Sequence, residues 1–178
     1  MVRAQRILAG IELFALALLS GGLFYLLFIV LPGIKQALPD IASADAKLMS
    51  VWYVRVGSLE IILAAAILAS NFAKLATFPH TGELQKLAVL VATLMLVVSI
   101  VCQVSVRPRL DDLRSDLQTI EKTDSAAETI ESARLLEKKH INLLRGNLIF
   151  ALFLLYCYRV FEEQKIKAIF NVLKQSKE

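Results

Sequence analysis

Apolar residues fall into four long stretches separated by short polar segments. The first runs from Ile7 to Leu31, broken only by Glu12, Ser20, Gly21 and Gly22 within otherwise apolar sequence. A secretory signal has an apolar region of about 7 to 15 residues followed by a small-residue cleavage site. This stretch instead continues through Phe24-Tyr25-Leu26-Leu27-Phe28 to Pro32, so it is expected to be a retained span. The second begins at Trp52 and Tyr53, an aromatic pair suited to an interface, and runs to Ala73 with Glu60 inside it. The third covers 87–106, and the fourth covers 141–161 with Arg145 and Asn147 near its start. Each matches the roughly 20 residues needed to cross a hydrocarbon slab about 30 Å thick. The pattern predicts an all-α membrane protein, a four-transmembrane-helix bundle with spans at about 7–31, 52–73, 87–106 and 141–161.

Residues 107–140 are polar yet patterned. Leu110, Leu113, Leu117 and Ile120 recur at helical spacing, Glu121 to Ser125 interrupts them, and Ile130, Ala133 and Leu136 resume the series. Ser125 with Glu128 has capping-box spacing. Spans three and four are therefore expected to extend into a projecting antiparallel hairpin, each arm roughly 20 Å long. This is read either as a solvated charged face or as a docking surface for a partner. Pro108 predicts a kink where the third helix leaves the bilayer. Pro32-Gly33 predicts the end of the first helix, with a short turn or helix at Asp40 to Lys47.

Composition agrees with the pattern. Of 178 residues 57% are hydrophobic, with mean hydropathy +0.61, more than one water-soluble core of that size needs. The whole chain, 1–178, is read as a single integral membrane domain. The net charge of +4 and pI near 9.1 point to lipid and not nucleic acid, because no basic and aromatic recognition module accompanies them. An even number of spans puts both termini on one side. Lys and Arg counts tie between the two sides, nine against nine, if Arg55 and Arg145 inside spans are set apart. Acids balance the hairpin's positive charges, whereas Arg3 and Arg6 stand directly before a long apolar helix, which favours cytoplasmic termini. The tail, 162–178, aligns Ile166, Ile169, Phe170 and Leu173 on one helical face with four lysines around it, a pattern suited either to lying on an anionic leaflet or to a simple continuation of span four with a soluble basic end. A bacterial inner membrane fits, and a thylakoid or organelle membrane would demand the same spans.

Candidate chemistry is sparse. Cys102 and Cys157 are placed roughly 14 Å apart along the membrane normal, which excludes a disulfide and leaves two buried thiols. His80 and His140 fall on opposite sides, so no bis-His haem is expected, and no cofactor is indicated. A charge inside hydrocarbon is costly unless paired, neutralised or near water. Glu60 is therefore the clearest lead, and Arg55, Glu60, Gln103, Arg145 and Asn147 all map to the outer half of spans two to four. They are expected to form an intramembrane polar cluster built on a Glu60–Arg145 pair. The alternatives are an ion or metal site from Glu60 and His140, and a lipid-headgroup pocket lined by Arg55 and Arg145. Glu12 is expected to reach the inner interface and Lys74 to snorkel there. Gly21 and Gly22 are expected to form a helix-packing face, used within the bundle or for homo-oligomerisation. No transporter-like repeat, no nucleophile with its base and no phosphate-binding loop is present, so the chain is not read as an enzyme.

The run Ser20-Gly21-Gly22-Leu23-Phe24-Tyr25 before Pro32, the Val106-Arg107-Pro108-Arg109-Leu110 segment, and His140 with Asn147 resemble the transmembrane-protein-205-like family over about residues 7–160. Leu136 departs from the family pattern, in which an aromatic residue commonly stands four positions before the histidine. The resemblance implies four spans and no established enzymatic activity. It also implies a fold similar to copper-resistance D proteins, with some members linked to metal or platinum-drug tolerance. The expected function is a non-catalytic membrane scaffold or accessory subunit of a larger membrane protein complex. The alternative is a small-ion or metal-handling protein using Glu60 and His140.

Overall fold

The computed structural model describes the backbone of residues 2–33, 46–77, 83–119 and 124–175. Helix α1 spans Val2–Tyr25 and passes through a π turn at Leu26–Val30. Helix α2 is Ala46–Thr77. Helix α3, Glu83–Val101, passes through a second π turn at Cys102–Val106 into α4, Arg107–Thr119. Helix α5 runs unbroken over 52 residues, Asp124–Gln175. The described residues are all helical, with four segments long and apolar enough to cross a membrane: Ile7–Gly33, Arg55–Ala76, Glu83–Leu113 and Glu128–Glu163. The turn predicted from Asp40 onward falls, as far as Asp45, outside the described residues. So do His80, the tip Glu121–Thr123, the capping side chain of Ser125 and the side chains of the tail from Gln164 on.

The helices outrun the apolar stretches that announce them. Helix α2 begins at Ala46 instead of Trp52, and α5 carries span four into the tail without a break. The reason is that composition marks where hydrocarbon would end, whereas backbone hydrogen bonding continues wherever Lys, Glu, Gln and Ala keep helix propensity high. The 162–178 segment, through Gln175, is thus one helix with span four.

Around the bundle α1 packs on α2 and α5, and α3 packs on α2 and α5, so the order is cyclic and α2 faces α5 across a diagonal. Helix α4 packs on α5 and buries Leu110. Leu16, Leu19, Leu63, Ile67, Met95 and Leu154 fill the core. Close approach comes from alanines: Ala64, Ala88, Ala92 and Ala151 are almost wholly buried. Gly21 and Gly22 take no part in packing within the bundle: both face outward, and a Cβ added to either would meet nothing within 4 Å. Of the two uses expected for them, only packing against a second copy is consistent with that placement. The outer surface is apolar, with Phe14, Phe28, Ile62 and Ile149 each between 57% and 69% exposed, a surface that needs an apolar solvent or a partner.

Each π turn ends two residues before a proline, Pro32 and Pro108. Proline has no N–H to donate, and its ring crowds the carbonyl four residues back. Those carbonyls belong to Phe28 and Val104, inside the two π turns. The wider turn moves them aside and closes with Leu31 N–H donating to Leu26 O and Arg107 N–H donating to Cys102 O. The irregularity expected at Pro108 is therefore a π turn preceding it. The first helix is described as far as Gly33, the second residue of the Pro32-Gly33 pair expected to end it.

Candidate functional site

Buried polar side chains gather in two layers, one at the end of the bundle where α1 begins, termed inner, and one toward the opposite end, termed outer. The outer layer joins α2, α3 and α5. Asn147 Nδ2 donates to Glu60 Oε1 at 2.5 Å and to Ser99 Oγ at 2.9 Å. Ser99 Oγ lies 3.2 Å from Glu60 Oε1 and 3.0 Å from Met95 O, so its hydroxyl bonds forward to the glutamate or back into its own helix. Glu60, Ser99 and Asn147 are all buried. Contact across the α2–α5 diagonal is therefore made by side chains meeting at the bundle axis.

Of the five residues expected to cluster, the structure brings Glu60 and Asn147 together and separates the others. Gln103 lies over Gly57, where its amide occupies the space a Cβ would need, and accepts at Oε1 from Arg107 Nη1 at 2.8 Å. Arg55 and Arg145 are exposed. The expected Glu60–Arg145 pair does not form, because Arg145 faces out of the bundle while Asn147 and Ser99 bond the Glu60 carboxyl group. The two arginines also stand on diagonal helices and face outward, so they cannot line one headgroup pocket. His140 is buried on α5 but lies about 10 Å of helical rise from Asn147, and hence from Glu60's level. A shared metal would need both ligand atoms within roughly 2 Å of it. No group of three His, Cys, Asp or Glu residues converges among the described residues. Ser99 was missed by sequence reasoning, and its one signal was its place four residues before Gln103 on the same helical face.

The inner layer was missed as a site. Glu12, expected at the inner interface, is buried within the bundle at 3% exposure and forms an ion pair with Lys74. Asn71 Nδ2 donates to Glu12 Oε1 at 2.8 Å, and Gln85 Nε2 donates to Asn71 Oδ1 at 3.1 Å. Ser70 Oγ donates to Leu8 O at 2.9 Å, and Lys74 Nζ stands 5.4 Å from the Tyr158 ring centre. All four spanning helices contribute. Lys74, whose side chain is 20% exposed, points into the bundle and not only outward.

About 16 Å of helical rise separates Glu60 from Asn71 on α2, and about 21 Å separates Gln85 from Ser99 on α3. Between them the interior is lined by Leu63, Ala64, Ile67, Ala92, Met95 and Ala151, with Leu16 and Leu19 from α1. The layers are thus joined by an apolar core and not by a polar path. Both cysteines, Cys102 and Cys157, are free and buried. Comparison of the chain with protein-family models, with curated proteins and with solved structures finds no match. Chemically, the arrangement holds helices in register: buried amides and hydroxyls bind side chains or carbonyls on another helix, the kind of contact that ties spans together in lipid.

Proposed function

We propose that this chain is a non-catalytic integral membrane scaffold or accessory subunit. It sits in a bacterial inner membrane with both termini cytoplasmic and associates with a larger membrane protein complex. The observation that carries the reading is the use made of the intramembrane polar groups. Glu12, Glu60, Asn71, Lys74, Gln85, Ser99 and Asn147 are bound to one another across helices, on either side of an apolar core. They act as fasteners.

The partner surface is the hairpin formed by α4 and the first part of α5. Helix α5 is about 78 Å long against a slab of about 30 Å, so much of it stands clear of the bilayer. There Ile130 and Leu135 are 41% and 58% exposed, beside Glu131, Arg134 and Lys138. Apolar groups framed by charge suit a protein partner better than bulk water. The short motifs around Ser20, Pro108 and His140 support membership of the transmembrane-protein-205-like family. The test is deletion of residues 111–135, which abolishes association with the complex while the shortened chain stays monodisperse. Association that survives the deletion counts against the hairpin as the docking surface.

A further inference from the structure

The outer polar layer is one hydrogen short. Asn147 spends both amide hydrogens, on Glu60 Oε1 and Ser99 Oγ, and the single hydroxyl hydrogen of Ser99 points to Glu60 Oε1 or Met95 O. Both donors to Glu60 reach the same oxygen. Asn147 Oδ1, on a residue that is 0% exposed, accepts no hydrogen bond. A buried carbonyl without a donor is unusual, and a carboxyl inside a bundle needs either a counter-charge or a proton.

Among the described residues, the surroundings offer no counter-charge. On α2, Arg55 is exposed five residues away, and on α5, Arg145 is exposed while His140 lies about 10 Å further out. On α3, Cys102 is the nearest titratable neighbour, and Arg107 beyond it is engaged by Gln103. Helix α1 brings Leu23, Leu26 and Leu27 to this height, and its buried Ser20, one turn nearer the inner layer, donates to Leu16 O of its own helix.

We propose that Glu60 supplies the missing hydrogen itself. As a carboxylic acid, its Oε2–H donates to Asn147 Oδ1 while Asn147 Nδ2–H donates back to Glu60 Oε1. The α2–α5 diagonal is then closed by a cyclic acid–amide pair that binds one exchangeable proton. The balance is simple: the carboxylate takes a proton from water and returns it to water. Without that proton Glu60 Oε2 and Asn147 Oδ1 face each other as two acceptors and only the Nδ2–Oε1 bond closes the diagonal, so the outer half of the bundle is held more tightly when the proton is bound. This goes beyond the scaffold reading, since it assigns the scaffold a proton-sensitive fastener.

The experiment is infrared spectroscopy of the full-length chain in nanodiscs at neutral pH, in H2O and D2O, for wild type, Glu60→Gln and Asn147→Leu. Wild type should show a protonated-carboxyl C=O stretch that shifts in D2O and disappears in Glu60→Gln. In Asn147→Leu the band should move to higher frequency, because the carboxyl loses its amide partner. Glu60→Gln should melt close to wild type, since its amide N–H can replace the acid O–H. If Asn147→Leu does not fold, the wild-type minus Glu60→Gln difference decides alone. Loss of carboxylate bands instead of an acid band in that difference would overturn the proposal. So would stabilisation of wild type, but not Glu60→Gln, by sodium chloride over choline chloride, which would identify a small cation as the missing charge.

Discussion

Replacing Lys74 by methionine removes the cation facing Glu12 and leaves a carboxylate that is 3% exposed with Asn71 as its remaining partner. Breaking a buried ion pair from one side typically costs about 3–5 kcal/mol, because the surviving charge has no solvent to return to. Asn71 still donates at 2.8 Å, and the 20% exposure of the Lys74 side chain shows the pair is not sealed, so the lower end, about 3 kcal/mol, applies. The reverse change, Glu12→Gln, should cost only about 1 kcal/mol, since the lysine stem can carry its ammonium out to the headgroups. In the double variant both charges are gone, and the loss should be about 1 kcal/mol, less than for Lys74→Met alone. Reversible unfolding in mixed micelles, followed by circular dichroism, measures all three. Equal costs for the two single variants, or additivity within about 0.5 kcal/mol, would show that the pair is solvated at the interface and refute the buried-fastener reasoning.

Glycine positions give two further tests. Gly57→Ala puts a methyl group where the Gln103 amide lies, so Gln103 must swing away and Arg107 loses its acceptor there. A net loss of about 1 kcal/mol in the same unfolding assay is expected, overpacking outweighing the gain in helix propensity. Gly21→Ala and Gly22→Ala meet nothing within 4 Å and should each stabilise the monomer by about 0.5–1 kcal/mol, visible as a higher melting temperature.

The four helices long and apolar enough to cross a membrane were legible because apolar runs of roughly 20 residues match the thickness of a bilayer and exceed what a soluble core helix usually buries. The helical character of 107–119 and of 124–140 was legible from leucine spacing. The polar contacts were less so, and particular residues show why. Glu60 and Asn147 stood out as costly groups in apolar sequence, but which partner each would take depends on how helices rotate about their axes. Arg145 is only two residues from Asn147, yet on a helix that offset turns it to the opposite face, away from Glu60. Glu12 and Lys74 each lie near a span end, where snorkelling is the ordinary outcome, and only the α1–α2 packing turns both inward. Gly21 and Gly22 carried a known packing signature, but small size permits close approach without compelling it, and the alanines took that role. The prolines signalled irregularity, though not the π turns that accommodate them.

Whether the chain is a scaffold whose intramembrane polar groups are fasteners is decided by gentle purification from native membranes into nanodiscs. Mass spectrometry of co-purifying proteins and metal analysis would be run on one sample, alongside the chain lacking residues 111–135. A scaffold should bring down a stoichiometric membrane protein partner, carry no bound metal, and lose the partner in the shortened chain. An isolated chain carrying about one equivalent of metal, lost in Glu60→Gln, would contradict the scaffold reading.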